Sequence, residues 1–148
     1  MKIYPPFYAV RTKANCWKCG TPQDVVGLVA TSIEEDDDDE PMDSHATIQG
    51  ITTMPEPLLL ELVKLRPAFA LCHSQSLGVS YYANACSCGT FFGDHYLYSE
   101  PGGGFFPTSD EEFAGIEVHD LPLTEPLELD ATWGMGIAGD LVEKGQRV

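Results

Sequence analysis

Cys16-Trp17-Lys18-Cys19-Gly20 and Cys86-Ser87-Cys88-Gly89 are the two stretches that decide how this chain folds. Residues 20–85 intervene, so the two thiol pairs can share one metal ion only if the chain between them doubles back. The glycine after each second cysteine suits a tight turn around a metal, because it accepts positive φ and lets backbone N–H groups face the sulfurs. Four thiolates from Cys16, Cys19, Cys86 and Cys88 make a closed tetrahedral set with no position left for a substrate. The expectation is a structural zinc ion at one end of the fold.

The second pair is Cys-x-Cys, one residue shorter than the common Cys-x-x-Cys. In an extended strand residues i and i+2 share a face, but a chelate still needs the backbone to curl around the metal. This half-site is therefore the weak one, and Cys72, His73 and His95 are the reserve ligands should Cys86 or Cys88 fall short. A reversible redox dithiol at Cys16 and Cys19 is the other reading; it needs a thioredoxin-like βαβ setting, which the sequence does not display.

The chain has 148 residues, enough for one domain (1–148) with a real core, so zinc staples one end and is not the whole reason for folding. No stretch reads as an export signal or a membrane span, and five cysteines, an odd number, argue for reduced thiols over a disulfide framework. A cytoplasmic location is expected. The formal net charge is −15, unevenly spread: residues 1–33 are net basic, with Lys2, Arg11, Lys13 and Lys18 against Asp24, an acidic run follows at Glu34 to Glu40, and the remainder after residue 66 is strongly acidic. Such a surface repels a phosphate backbone, so nucleic acid is disfavoured as a partner. Segment 34–43 should be an acidic mobile loop, because it lacks periodicity and repels itself.

Along the chain, Ile3 to Val10 suits a strand limited to an edge or bulge by Pro5 and Pro6, and Val25 to Ala30 reads as a buried strand. Ala46 to Thr53 offers a weaker strand. Pro57 opens a helix at about 56–66, where Leu58, Leu62 and Leu65 form one stripe and Lys64 and Arg66 sit near the C-terminal dipole. Phe69 to His73 and Val79 to Ala83, joined by a turn at Gly78, should form a hairpin that delivers Cys86 to the metal. Trp17 is expected to pack around the sulfurs, and Phe91, Phe92, Tyr96, Tyr98, Phe105 and Phe106 to cover the metal end of the core. Exposure of several of these rings would make them a partner-binding surface. From Glu112 to Val148 the alternation of Ile116, Val118, Leu121, Leu123, Leu127 and Leu129 with acids and prolines predicts short strands, and Trp133 to Gly139 is too glycine-rich for a helix.

The words Cys16-Trp17-x-Cys19-Gly20, Ala83-Asn84-x-Cys86-x-Cys88-Gly89, Gly93-Asp94 and Glu100-Pro101-Gly102-Gly103-x-Phe105-Phe106-Pro107 occur here in order. The chain in this respect resembles a group of uncharacterised bacterial zinc-ribbon-like proteins and domains, over roughly residues 8–30 and 79–107. It departs from the group's pattern in lacking one spacer residue between Cys86 and Cys88. The resemblance implies a metal-binding module and brings no known reaction with it.

These readings combine into an α+β fold: a mainly antiparallel sheet, one substantial helix, and a zinc-ribbon-like metal site at one end. The zinc-catalysis words His-Glu-x-x-His and His-x-Glu are absent, and Asp94 beside His95 is the one acid–base pair an enzyme could use. The function expected by elimination is a non-catalytic interaction or regulatory module, such as an inhibitor or immunity-type partner of a basic protein. A nucleic-acid-associated zinc ribbon and an enzyme built on Asp94 and His95 are the alternatives.

Overall fold

The computed structural model describes residues 1–35 and 40–148. The elements in chain order are β1 (Lys2–Ile3), β2 (Phe7–Asn15), β3 (Pro22–Glu34), β4 (Met42–Thr53), α1 (Glu56–Leu65), β5 (Phe69–Ser74), β6 (Val79–Ala85) and β7 (Phe91–Phe92). A π-helical turn (His95–Ser99) follows, then α2 (Asp110–Ala114), β8 (Glu117–Asp120), β9 (Leu127–Glu128), β10 (Asp130–Gly134), α3 (Ala138–Lys144) and β11 (Gln146–Arg147). The fold is α+β and rich in strands. Its larger sheet runs β10-β4-β3-β2-β8-β11, with β1 joining β3 and β9, and the smaller runs β5-β6-β7. Among the described residues only the pairing of β11 with β8 is parallel.

β3 is the spine, and its sequence shows why. Val25 to Ala30 are all buried, without the alternation of a half-exposed strand, because both faces of β3 are covered. Val26, Leu28 and Ala30 face a core with Leu58 and Leu62 of α1 and Phe69 of β5. Val25 and Val29 face a second core with Leu97, Phe105, Phe113 and Leu141, from the π-turn, the loop after it, α2 and α3. Gly27, on the second face, is a close-approach glycine: a Cβ there would collide with the Tyr98 hydroxyl. The π-turn can lie flat on β3 only because position 27 has no side chain.

The helix expected at 56–66 is α1, with Pro57 in its first turn and Leu58 and Leu62 buried. It spans ten residues and is one of four short helical segments among the described residues, not a single substantial helix. Two of the others fall where strands or loop were expected. Ser109 caps α2 by accepting from Glu112 N–H at 3.2 Å, and Glu112 reaches back one residue beyond the cap to accept from Thr108 N–H at 2.6 Å, a variant of the capping box. In α3, Ala138, Leu141 and Val142 are buried at i, i+3 and i+4, a helical stripe that the surrounding glycines mask in the sequence. Of the 34–43 segment, Glu34 closes β3 and Met42 and Asp43 open β4, while residues 36–39 lie outside the described residues. No helix among the described residues is long and apolar enough to cross a membrane.

Candidate metal centre

Each cysteine pair occupies the turn of a hairpin. Cys16 to Thr21 connect β2 to β3, closed by Cys16 N–H to Thr21 O at 3.0 Å and Gly20 N–H to Cys16 O at 2.9 Å. Cys86 to Thr90 connect β6 to β7, closed by Cys86 N–H to Thr90 O at 2.8 Å and Gly89 N–H to Cys86 O at 3.1 Å. The missing spacer shortens the second turn by one residue without changing its plan. Gly20 at φ 74° and Gly89 at φ 96° take the left-handed conformation that each turn requires.

The two turns meet. The sulfurs of Cys16, Cys19, Cys86 and Cys88 all lie within 4.8 Å of one another, with Cys16 to Cys88 at 3.8 Å and Cys19 to Cys86 at 3.6 Å. A tetrahedral ion with metal–sulfur bonds near 2.3 Å needs sulfurs about 3.8 Å apart, so this spacing fits a bound metal. Cys16 and Cys86 are buried against Phe92 and Phe105, and Cys19 and Cys88 face solvent. The thiols share their ionisation unequally. Cys19, hydrogen-bonded by the Thr21 side chain and then its backbone, falls to about 6. At Cys88 the Thr90 N–H pulls the pKa down, but desolvation and the thiols of Cys86, Cys19 and Cys16 outweigh it and push the group up to about 11. Four thiols this close resist ionising together unless a cation sits among them.

None of the reserve ligands enters this cluster. Cys72 turns its sulfur toward Ala70 O at 3.4 Å, His73 Nδ1 is 3.0 Å from Ser80 Oγ, and His95 Nε2 lies 3.9 Å from Glu100 Oε1. Asp94 and His95 also part company. The His95 side chain is 81% exposed, whereas Asp94 accepts from Gly50 N–H at 2.6 Å and burial raises its pKa to about 6. Asp94 thereby clamps the π-turn to the kink of β4 at Gly50, which has φ 57°.

Trp17 corrects an expectation: it is 60% exposed and bridges the turns from outside, its indole N–H donating to Phe91 O at 3.1 Å. Phe92 and Phe105 are fully buried in the core that holds Cys16 and Cys86, so the rings at the metal end are packing and not an exposed belt.

Three further side chains position the cluster. Asn84, two residues before Cys86 and only 2% exposed, binds both backbone groups of Val26 and so fixes the small sheet to β3. Gln23 donates to Cys86 Sγ at 2.9 Å, and Arg66 donates to Gln23 Oε1 at 2.7 Å. Asn84 carried a signal, a lone amide in an otherwise uncharged strand. Gln23 and Arg66 carried none, because their contacts span 63 and 43 residues of sequence.

The chain matches no family model, no curated protein and no solved structure.

Proposed function

We propose that this chain is a non-catalytic, zinc-stabilised interaction module of the bacterial cytoplasm, acting as an inhibitor or immunity-type partner of a basic protein. Four thiols complete a tetrahedral set, so the centre stabilises structure and offers no open coordination position. The likeness of the cysteine words to bacterial zinc-ribbon-like proteins supports the same reading.

The observation that carries the interaction role is a segregation of charge. Residues 67–93 contain no Asp, Glu, Lys or Arg in a chain of net charge −15, and they form the whole β5-β6-β7 sheet. That sheet exposes Leu71 and Val79, with Leu77 exposed in the turn between β5 and β6, and β5 pairs only with β6 among the described residues. Natural sheets guard their edges with charge, proline or shortness. The edges of the larger sheet follow that rule: β10 begins with Asp130, and β11 has two residues, one of them Arg147. β5 has no Asp, Glu, Lys or Arg among its six residues. An uncharged edge within an acidic molecule suits an extended segment of a protein whose surrounding surface is basic.

Capture from the lysate of the source cell, run in parallel with the wild type and Leu71→Lys, tests this. The expected result is a basic protein retained by the wild type and released by the variant. Equal retention by both, or an acidic partner, overturns the reading.

A further inference from the structure

We propose that Arg66, acting through Gln23, is the charge-compensating residue of the metal centre and sets how tightly zinc is held. The inference rests on the zinc reading above and adds residues that are not ligands.

A divalent ion with four thiolates leaves two net negative charges where the turns meet, and two of the sulfurs are buried. Charge placed in such surroundings needs donors and opposite charge close by. The structure offers one route for both. Gln23 Nε2 donates to Cys86 Sγ at 2.9 Å and to Ser87 Oγ at 3.2 Å, while its Oε1 accepts from Arg66 Nη2 at 2.7 Å. The same Nη2 donates to Ala85 O at 2.6 Å, the carbonyl just before Cys86. The carboxamide is thus held with its N–H toward sulfur, because its oxygen is engaged by the guanidinium.

Arg66 is otherwise hard to account for. It forms no ion pair with a carboxylate among the described residues, and its Nε is buried with no hydrogen-bond partner. Burial lowers its pKa, with the charges of Asp24 and Cys86 opposing, yet an arginine stays protonated. A cation drawn in from water in this way has Asp24 and the thiolate cluster as its counter-charges, and of the two only the cluster is reached through a hydrogen-bonded chain, by way of Gln23. Its backbone is anchored as the C-cap of α1, with its N–H on Leu62 O at 2.9 Å, so the helix fixes where the guanidinium reaches.

Zinc affinity, measured on the full chain by competition with a chelator, tests the proposal. Cobalt(II) spectra of each variant report whether all four thiolates still bind. Arg66→Met and Gln23→Leu should each weaken zinc binding about 10- to 100-fold while the cobalt spectrum remains that of a tetrathiolate. Arg66→Lys, which keeps the charge, should retain most of the affinity. Gln23→Glu, which places a carboxylate beside Cys86, should weaken it more than Gln23→Leu does. Should Arg66→Met fail to fold, the two Gln23 variants decide alone. Affinities of Arg66→Met and Gln23→Leu within about threefold of the wild type, or Gln23→Glu binding no worse than Gln23→Leu, overturn the proposal and leave the zinc reading standing. A wild type that takes up no metal removes the zinc reading, and this proposal with it.

Discussion

The side chain of Asn84 hydrogen-bonds both backbone groups of Val26, accepting from its N–H at 2.9 Å and donating to its C=O at 3.0 Å. β4 pairs with β3 only from Leu28 onward, so at Val26 the amide side chain does what a neighbouring strand would do. This contact ties the small sheet to β3 two residues before Cys86, alongside the hold of Arg66 on Ala85 O. Asn84→Leu should therefore destabilise the fold by about 2–4 kcal/mol, because two buried backbone groups lose their partners. Denaturant unfolding of the zinc-loaded protein measures it, and a loss under about 1 kcal/mol would show that water or another group replaces the amide.

The metal content should be about one zinc per chain after expression without added metal, since four thiolates select zinc over the harder divalent ions. Metal analysis finding none, or iron in its place, removes the structural-zinc account. Cys19→Ser should lower the melting temperature strongly. Hydrogen exchange after chelation should locate the damage in the two turns and β5-β6-β7, while β2, β3 and β4 stay protected by the packing on both faces of β3. Equal loosening of the whole chain would mean that zinc, and not the core, holds the large sheet.

Burial of Asp94 gives a pH signature of known sign. Its pKa is raised by burial to about 6, with the Gly50 N–H opposing, against about 3.9 in an unfolded chain. The folded state then binds more protons between those values, so this group's contribution to stability falls as pH rises from about 4 to 6 and levels off above. Asp94→Asn keeps an acceptor for Gly50 and removes the charge. The difference in stability between variant and wild type should shift in the variant's favour across that window, by up to about 3 kcal/mol. A difference that is flat with pH would show that the carboxylate is better solvated than its setting implies. His95, exposed and turned toward Glu100, should be replaceable by alanine with little effect on stability; an activity lost in His95→Ala would overturn the non-enzymatic reading.

Legibility in the sequence followed the range of the interactions. The Val25 to Ala30 strand, the hairpin of Phe69 to His73 with Val79 to Ala83 and the two cysteine turns rest on local patterns, and each falls within the element or turn that forms there. Cys88 reached the cluster despite the short spacing because a five-residue turn can be closed by Cys86 N–H to Thr90 O as well as a six-residue one can by Cys16 and Thr21. α3 was hidden because Gly134, Gly136 and Gly139 dilute a stripe only three residues deep. Trp17 failed differently. Nothing local distinguishes a ring packed on sulfur from one lying across the outside of β7, since that depends on where Phe91 O ends up. Glu117, one of the acids that alternate with the apolar residues after residue 112, makes two hydrogen bonds with Arg11, at 3.0 and 3.1 Å, across a pairing of β2 with β8 that no local pattern announces.

The proposed partner should be found by one surface and held by another, and kinetics can separate the two. Glu125, Glu128 and Asp130 are exposed, and Glu128 and Asp130 stand near Glu34 and Glu35 around a depression whose described lining has Lys2 as its single basic side chain. A field of this sign speeds encounter with a basic protein and is screened over about 8 Å at physiological ionic strength. Reversing Glu128 and Asp130 to lysine should therefore slow association and flatten its dependence on salt, with little change in dissociation. Leu71→Lys, on the uncharged edge of β5, should do the opposite: association close to the wild type's and dissociation at least about tenfold faster, as expected where loss of contact acts mainly on the off-rate. Surface-bound kinetics at low and high salt with the captured partner would read both. If charge reversal and salt leave association unchanged, the acidic surface plays no part in encounter. If Leu71→Lys leaves dissociation unchanged, the partner docks elsewhere than on β5.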